Sequence, residues 1–192
     1  MKKKNLSRLL QPNTVALFGG IWAENVAYQI KDSNFSGEVW PVNPNRKSIA
    51  GYRCYKTTYE LPGPIDAAFI GVNKHKTIEI LRQLKKVDCG GATCFASGFS
   101  ETGTLGAELQ KKMTEVAEDM PFLGPNCYGY LNYLDQAYIW PDQHGGIPLE
   151  SGVAIIAQSS NIAINLSMQS RSTPIAYVLT SGNQAQLDIS DL

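Results

Sequence analysis

Hydrophobic and polar positions along this chain switch between two rhythms, and each switch marks a change of element. Residues 14–18 read T-V-A-L-F, a short apolar run of the kind found in strands buried on both faces. Gly19 and Gly20 close it with a tight turn. Ala23, Val26, Ala27 and Ile30 then recur at helical spacing, which predicts a helix over 23–31. Gly37 stops the connection and 38–42 form a second strand. A strand, a glycine turn, a helix and a strand within about 30 residues make a βαβ unit, whose first turn is where such folds hold phosphate.

The alternation continues. Asn43, Pro44 and Asn45 turn the chain, 51–55 suit a short edge strand, and 57–61 suit one helical turn stopped by Pro62. Residues 65–72, I-D-A-A-F-I-G-V, predict a third buried strand. Asn73 can cap the following helix, in which Ile78, Leu81 and Leu84 form an apolar stripe while Lys74, Lys76, Arg82, Lys85 and Lys86 face solvent. A fourth strand over 91–95, a Gly/Ser-rich turn over 96–103, an amphipathic helix over 105–120 and a brief strand at Phe122 and Leu123 complete the series. This order predicts an α/β fold, a Rossmann-like doubly wound parallel sheet with right-handed crossovers. Before it, 1–11 read as a basic, amphipathic lead-in with a short helix.

The rhythm is then lost. Residues 128–150 carry Gly129, Asp135, Pro141, Gly145, Gly146 and Pro148 with no clear period, and read as a connector. It resumes with a strand over 153–157, a polar turn of Gln158, Ser159, Ser160 and Asn161, a helix over 162–170 and a strand over 175–180. Residues 188–191 look like a helix N-terminus, which Leu192 cuts off, so the sequence reads as a piece of a longer chain. The expected division is one domain over 1–128, a connector over 129–150 and the opening of a second domain over 151–192.

Composition narrows the function classes. At 192 residues and 43% hydrophobic content the chain can bury a substantial core. Lys plus Arg and Asp plus Glu both number 17, so there is no basic excess of the kind nucleic-acid binders carry. No apolar run approaches the ~20 residues needed to cross a bilayer. Lys2, Lys3 and Lys4 imitate the start of a signal peptide, but Ser7, Arg8, Gln11 and Pro12 leave no apolar segment after them. A cytoplasmic protein is expected. Cys54, Cys89, Cys94 and Cys127 match no zinc spacing, and neither His75 nor His144 is paired with a cysteine, so no metal site is expected.

A dinucleotide site wants G-x-G-x-x-G and an acidic residue closing the second strand. Here Gly19 and Gly20 are adjacent, and the second strand ends in Val42, Asn43 and Pro44. NAD is therefore disfavoured. Arg46 and Lys47, just beyond, could meet a ribose phosphate, which NADP and coenzyme A both carry; equally, they could simply be solvated. At 158–161, polar residues open a helix, so backbone N–H groups and the positive dipole end converge on one spot. A serine nucleophile at Ser159 or Ser160 would lack the G-x-S-x-G elbow and any downstream histidine.

Seven segments, taken in order, carry a resemblance. They are P-N-T-V-A-L-F-G-G at 12–20, G-E-V-W-P-V-N-P at 37–44, P-I-D-A-A-F-I-G-V at 64–72, A-S-G-F-S-E-T-G at 96–103, L-G-P-N-C-Y-G at 123–129, G-V-A-I-I-A-Q-S-S at 152–160 and S-G-N-Q-A at 181–185. Over residues 10–192 the chain resembles the amino-terminal part of the NDP-forming acyl-CoA synthetases, the superfamily of ADP-forming acetyl-CoA synthetase and the succinyl-CoA synthetase α subunit. The resemblance implies a CoA-binding Rossmann-like domain followed by a flavodoxin-like ligase domain. It also implies a reaction joining a small carboxylic acid to CoA with ATP (or GTP) and magnesium, through an acyl phosphate and a phosphohistidine.

By that resemblance Gly19, Gly20, Ile21, Trp22 and Asn25 belong to the turn that cradles CoA phosphates. Val42, Asn43 and Pro44 would flank the adenosine, with Arg46 or Lys47 near its phosphate. Val72, Asn73, Ser97, Gly98, Glu101, Asn126 and Cys127 would line the pantetheine path, and Gln158, Ser159, Ser160 and Asn161 would receive the phosphoryl group. The resemblance implies no catalytic residue within the chain. The phosphohistidine is expected beyond Leu192, and the ATP-grasp partner also lies outside, so the chain alone would catalyse nothing; an oligomer is implied.

Two positions depart from the family. Its phosphate loop reads like G-A-S-x-x-P-G-K-x-G, where this chain has Ile21, Trp22, Ala23 and Glu24, with Asn25 near the expected glycine; and its S-Q-S-G is here A-Q-S-S. Two other readings stay open: a non-catalytic CoA-binding or regulatory module and, less well supported, an NADP-dependent oxidoreductase.

Overall fold

The computed structural model describes residues 5–169 and 172–192; the first four residues of the predicted lead-in and the last of the predicted helix over 162–170 lie outside them. Strands β1 (Thr14–Gly19), β2 (Glu38–Val42), β5 (Ala67–Gly71), β6 (Ala92–Cys94) and β7 (Phe122–Leu123) form one parallel sheet in the order β2-β1-β5-β6-β7. A small antiparallel hairpin, β3 (Ser48–Ile49) with β4 (Tyr52–Arg53), stands in place of the expected edge strand.

Alternate residues of the parallel sheet feed two separate cores, as the two-residue repeat of a strand requires. Val15, Leu17, Ala67 and Phe69 point to one face, where α2 (Ile21–Asp32) packs through Ala23, Val26, Ala27 and Ile30. Ala16, Phe18, Ala68 and Ile70 point to the other, where α3 (Lys74–Lys86) and α4 (Thr104–Ala117) supply Ile78, Leu81, Leu84, Met113 and Ala117. Helices on both faces make the sheet doubly wound. The short helix α1 (Ser7–Leu10) is anchored rather than peripheral: Leu9 is fully buried, and Arg8 Nε donates to Asp66 Oδ1 at 2.9 Å.

The expected connector is corrected by the structure. Within 129–150 lie β8 (Tyr130–Asn132) and β9 (Ala137–Ile139), an antiparallel pair. They join β10 (Val153–Ala157) and β11 (Ile175–Thr180) in a second sheet of order β10-β11-β8-β9. Tyr130 and Ile139 enter the α2-side core of the first sheet, while Leu131 and Tyr138 enter a third core with Ala163 of α5 (Ser160–Ser167). Both faces of these strands are buried, so no alternation of apolar and polar residues betrays them, and three residues are too few to show a period. Asn132 fixes the hairpin turn, its Oδ1 accepting from the Leu134 and Asp135 amides at 3.0 Å.

The reading of 188–191 is corrected as well. These residues form a hydrogen-bonded turn rather than a helix, with Asp188 Oδ1 accepting from the Ser190 amide at 2.7 Å. The Leu192 side chain is partly buried against the α2-side core, beside Leu6, Leu10 and Tyr177. The turn is closed by the Asp191 amide donating to the Asp188 carbonyl and the Asp188 amide donating to Asp191 Oδ2, both at 3.1 Å.

Candidate functional site

The parallel sheet reverses its winding between β1 and β5, and a crevice opens beyond their carboxyl ends, where open α/β sheets hold ligands. Gly19 and Gly71 are paired there. Gly19 has φ of +137°, and a Cβ on it would stand 2.5 Å from the Gly71 carbonyl oxygen, so only glycine fits. Helix α2 starts at Ile21, leaving Gly20 alone between strand and helix. Residues 21–25, expected to fill a phosphate loop, are instead the first turn of α2.

Two cavities occupy the crevice, and both are walled by Val72 and Asn73 at the end of β5. The smaller, about 450 Å³, lies beside Gly19, Gly20, Val42, Asn43 and Pro44 and is closed by Lys56, Tyr59 and Ile80. The larger, about 810 Å³, runs from Trp22, Phe95 and Tyr128 past Ser97, Gly98, Asn126 and Cys127 to Gln158, Ser159, Ser160 and Asn161 at the amino end of α5. Both volumes fall in the ~300–1,000 Å³ range of small-molecule sites.

The polar side chains around them are held in place. Asn43 Nδ2 donates to the Gly19 carbonyl at 2.7 Å, tying the end of β2 to that of β1, and Asn43 Oδ1 accepts from the Asn45 amide at 2.9 Å. Asn73 caps α3, accepting from the Lys76 amide at 3.0 Å. Gln158 Nε2 donates to the Gly182 carbonyl at 3.0 Å, and Ser160 Oγ accepts from the Tyr128 amide at 3.2 Å. The rings of Trp22 and Phe95 stand 4.7 Å apart and those of Phe95 and Tyr128 5.5 Å, a continuous aromatic wall.

Five expected residues are placed elsewhere. Ile21 is largely exposed, and Asn25 Nδ2 donates to the Pro141 carbonyl at 3.1 Å. Arg46 is bound to Glu24 at 2.9 Å, and neither Arg46 nor Lys47 walls either cavity. Glu101 turns back on its own loop, accepting from the Gly98 amide, and also meets Asn183. Burial pushes its carboxyl up, but those hydrogen bonds outweigh it and hold the group below its ordinary value.

The thiol of Cys127 is pushed up to about 11 by burial and donates to the Thr180 carbonyl at 2.9 Å, so at neutral pH it is a protonated wall group, not a nucleophile. Neither His75 nor His144 lines either cavity; His144 Nδ1 lies 3.1 Å from Tyr133 Oη, beside the third core. Leu192 lies away from the crevice, in a shallow cleft with α1 and Tyr177.

Residues 13–133 match the family described as the CoA binding domain. The chain belongs to that family. It is 31% identical over 193 residues to the ADP-forming acetate–CoA ligase I of Archaeoglobus fulgidus and 28% identical over 200 residues to a trans-feruloyl-CoA synthase from an unknown prokaryotic organism, covering 97% and 98% of this chain. It spans 28% of the length of each. Among solved structures it superposes on the apo form of acetyl-coenzyme A synthetase 1 of Ca. Korarchaeum cryptofilum with a TM-score of 0.84 at 28% identity, over 97% of this chain and 42% of that one.

The crevice fits the group the family is named for. Two cavities that share Val72 and Asn73 offer a smaller, mainly apolar compartment and a larger one of mixed polar and aromatic walls, and the backbone at Gly19 and Gly71 approaches closely with no side chain between. Sequence reasoning missed Lys56, Lys74, Phe95 and Tyr128, which line this CoA-binding domain's cavities. A signal for Lys74 was available: it directly follows a capping asparagine at the carboxyl end of a central strand, where ligands sit.

Proposed function

We propose that this chain is the CoA-binding portion of an ADP-forming acyl-CoA synthetase, which joins a small carboxylic acid to CoA at the expense of ATP and magnesium through an acyl phosphate and a phosphohistidine. One observation carries the reading: the 810 Å³ cavity continues from the end of the central strands to the amino end of α5. A pantetheine arm entering at Val72 and Asn73 would run past Ser97, Gly98, Asn126 and Cys127, and its thiol would arrive where Gln158, Ser159, Ser160 and Asn161 offer backbone donors to a phosphoryl group. The adenosine would occupy the smaller cavity, against Val42, Asn43 and Pro44. The 151–192 stretch opens the ligase domain. The phosphohistidine comes from residues beyond Leu192 and the ATP-grasp module from outside this chain, in a cytoplasmic oligomer, and the chain alone turns over no substrate.

The test is a thermal-shift titration of the chain with CoA, NAD and NADP. Stabilisation by CoA at concentrations where NAD and NADP have no effect is expected; stabilisation by NADP and not by CoA would overturn the reading.

A further inference from the structure

The departures at the first turn leave a question of charge. CoA carries negative charge in two places, a diphosphate between adenosine and pantetheine and a phosphate on the ribose. In this chain the glycine-rich loop is reduced to Gly20, and the guanidinium of Arg46 is held by Glu24 at 2.9 Å, outside both cavities. A different set of cations therefore faces the crevice.

Among the described residues the large cavity is walled by a single charged side chain, Lys74. It sits next to Asn73, where the two cavities meet, and its stem lies across Gly98, so that a Cβ on that glycine would stand 3.0 Å from Lys74 Cδ and 3.4 Å from Nζ. Among the described residues no salt bridge engages it; its helical neighbour Lys76 is paired with Glu79 at 3.0 Å. The stem is thus held in the large cavity, one residue from the Asn73 that both cavities share, by packing on a glycine and not by a carboxylate. The small cavity has Lys56 and Lys76 as its cations. Lys76 is paired with Glu79, which also walls this cavity, so Lys56 is the one of the two whose ammonium makes no salt bridge among the described residues.

Resting on the CoA reading above, we propose that the charges of the coenzyme are recognised by these two lysines separately: Lys74 binds the diphosphate at the junction of the cavities, and Lys56 binds the ribose phosphate at the mouth of the adenosine compartment, in place of Arg46 and Lys47. The geometry follows the ligand. An adenine against Val42, Pro44 and Ile80 and a pantetheine in the long cavity leave the diphosphate at Val72 and Asn73, within reach of Lys74. Gly98 has φ of +96°, which itself favours glycine, and a side chain there would also press on the Lys74 stem.

Isothermal titration of the chain and its variants with CoA and with dephospho-CoA, which lacks only the ribose phosphate, separates the roles. Lys74→Ala weakens both ligands by about tenfold or more, the worth of a hydrogen bond to a charged group. Lys74→Arg restores most of the loss. Lys56→Ala weakens CoA by about tenfold and leaves dephospho-CoA unchanged, whereas Arg46→Ala changes neither by more than about threefold. Equal loss of both ligands in Lys56→Ala, a dominant loss in Arg46→Ala, or unchanged binding in Lys74→Ala would overturn the assignment while leaving the CoA reading intact. Failure of the unaltered chain to bind either ligand would instead sink the CoA reading itself.

Discussion

Two of the strand-to-helix turns on this crevice, β1 to α2 and β10 to α5, are held in different ways. At β1 to α2, the strand lies inside the sheet between β2 and β5, five of its six residues are buried, and the turn is made by backbone approaching backbone. Nothing larger than hydrogen fits at Gly19 against the Gly71 carbonyl. At β10 to α5 the strand lies at the edge of its sheet and is only partly buried. There the turn contains no glycine, and side chains hold it: Gln158 to the Gly182 carbonyl, Ser160 to the Tyr128 amide, with the Ser181 amide donating to the Ala157 carbonyl at 3.0 Å. Where strands are enclosed on both sides, crowding selects the absence of a side chain. At an edge, space allows side chains to set the geometry, and the residues selected are the polar ones that face the cavity.

The contrast can be broken most directly at Gly19. Gly19→Ala adds a Cβ at positive φ into a carbonyl and should destabilise the chain by about 3 kcal/mol or more, whereas Gly20→Ala, which meets nothing within 4 Å, should cost under about 0.5 kcal/mol. Urea unfolding of the two variants decides it; equal costs would mean that crowding is not the cause.

Beneath the second turn, Thr180 Oγ1 donates to the Gly129 carbonyl at 3.0 Å and accepts from its amide at 3.1 Å, fully buried. Thr180→Val leaves both groups without that partner and should cost about 1–3 kcal/mol, read as a lower urea midpoint with an unchanged slope. Gln158→Ala removes one part-buried bond and should cost about 1 kcal/mol, seen as a drop in melting temperature of a few degrees.

The smallest effect concerns the foot of the first sheet. Asp66 accepts from Arg8 Nε and from the Asn13 amide, both at 2.9 Å. Burial raises its carboxyl, but these bonds prevail and hold it below the ordinary 3.8. A depressed carboxyl contributes stability that is fully present above the unfolded value and is lost as pH falls through the folded one. Acidification below about pH 4 should therefore loosen α1 from β5, and Asp66→Asn should flatten that part of the curve, a change of about 1 kcal/mol or less given the half-exposed Arg8. Melting temperatures measured across acidic pH would show it, and an unchanged curve in Asp66→Asn would remove the clasp from the account.

Much of the fold was legible in the order of residues. The five parallel strands, α2, α3 with its Asn73 cap, α4, and the pair β10 and β11 were all anticipated, because buried parallel strands are apolar runs and amphipathic helices carry a stripe, both local signals. Of the candidate site, the residues at strand ends were legible for the same reason: Gly19, Asn43, Asn73, Asn126 and Gln158 each close an apolar run and are polar or glycine. What could not be read was how side chains beyond those ends are spent. Arg46 and Glu24 are 22 residues apart and look like two free charges until folding brings them to 2.9 Å. Asn25 is on the helix, but its amide serves Pro141, 116 residues on. Lys74 looked like one more solvated lysine until Gly98 was placed under it.

The order of apolar and polar residues thus determined by itself that this chain is a parallel α/β protein with its ligand end at Gly19, since burial on two faces leaves a continuous apolar run and tight backbone contact demands glycine. Tertiary structure alone decided that 130–139 is a buried hairpin joining two sheets, that α2 follows β1 with only Gly20 between them, that Leu192 packs back on the core, and which cations face the crevice. Those outcomes depend on contacts between residues distant in sequence, and a side chain's charge has no assigned partner until packing brings one within a few ångströms.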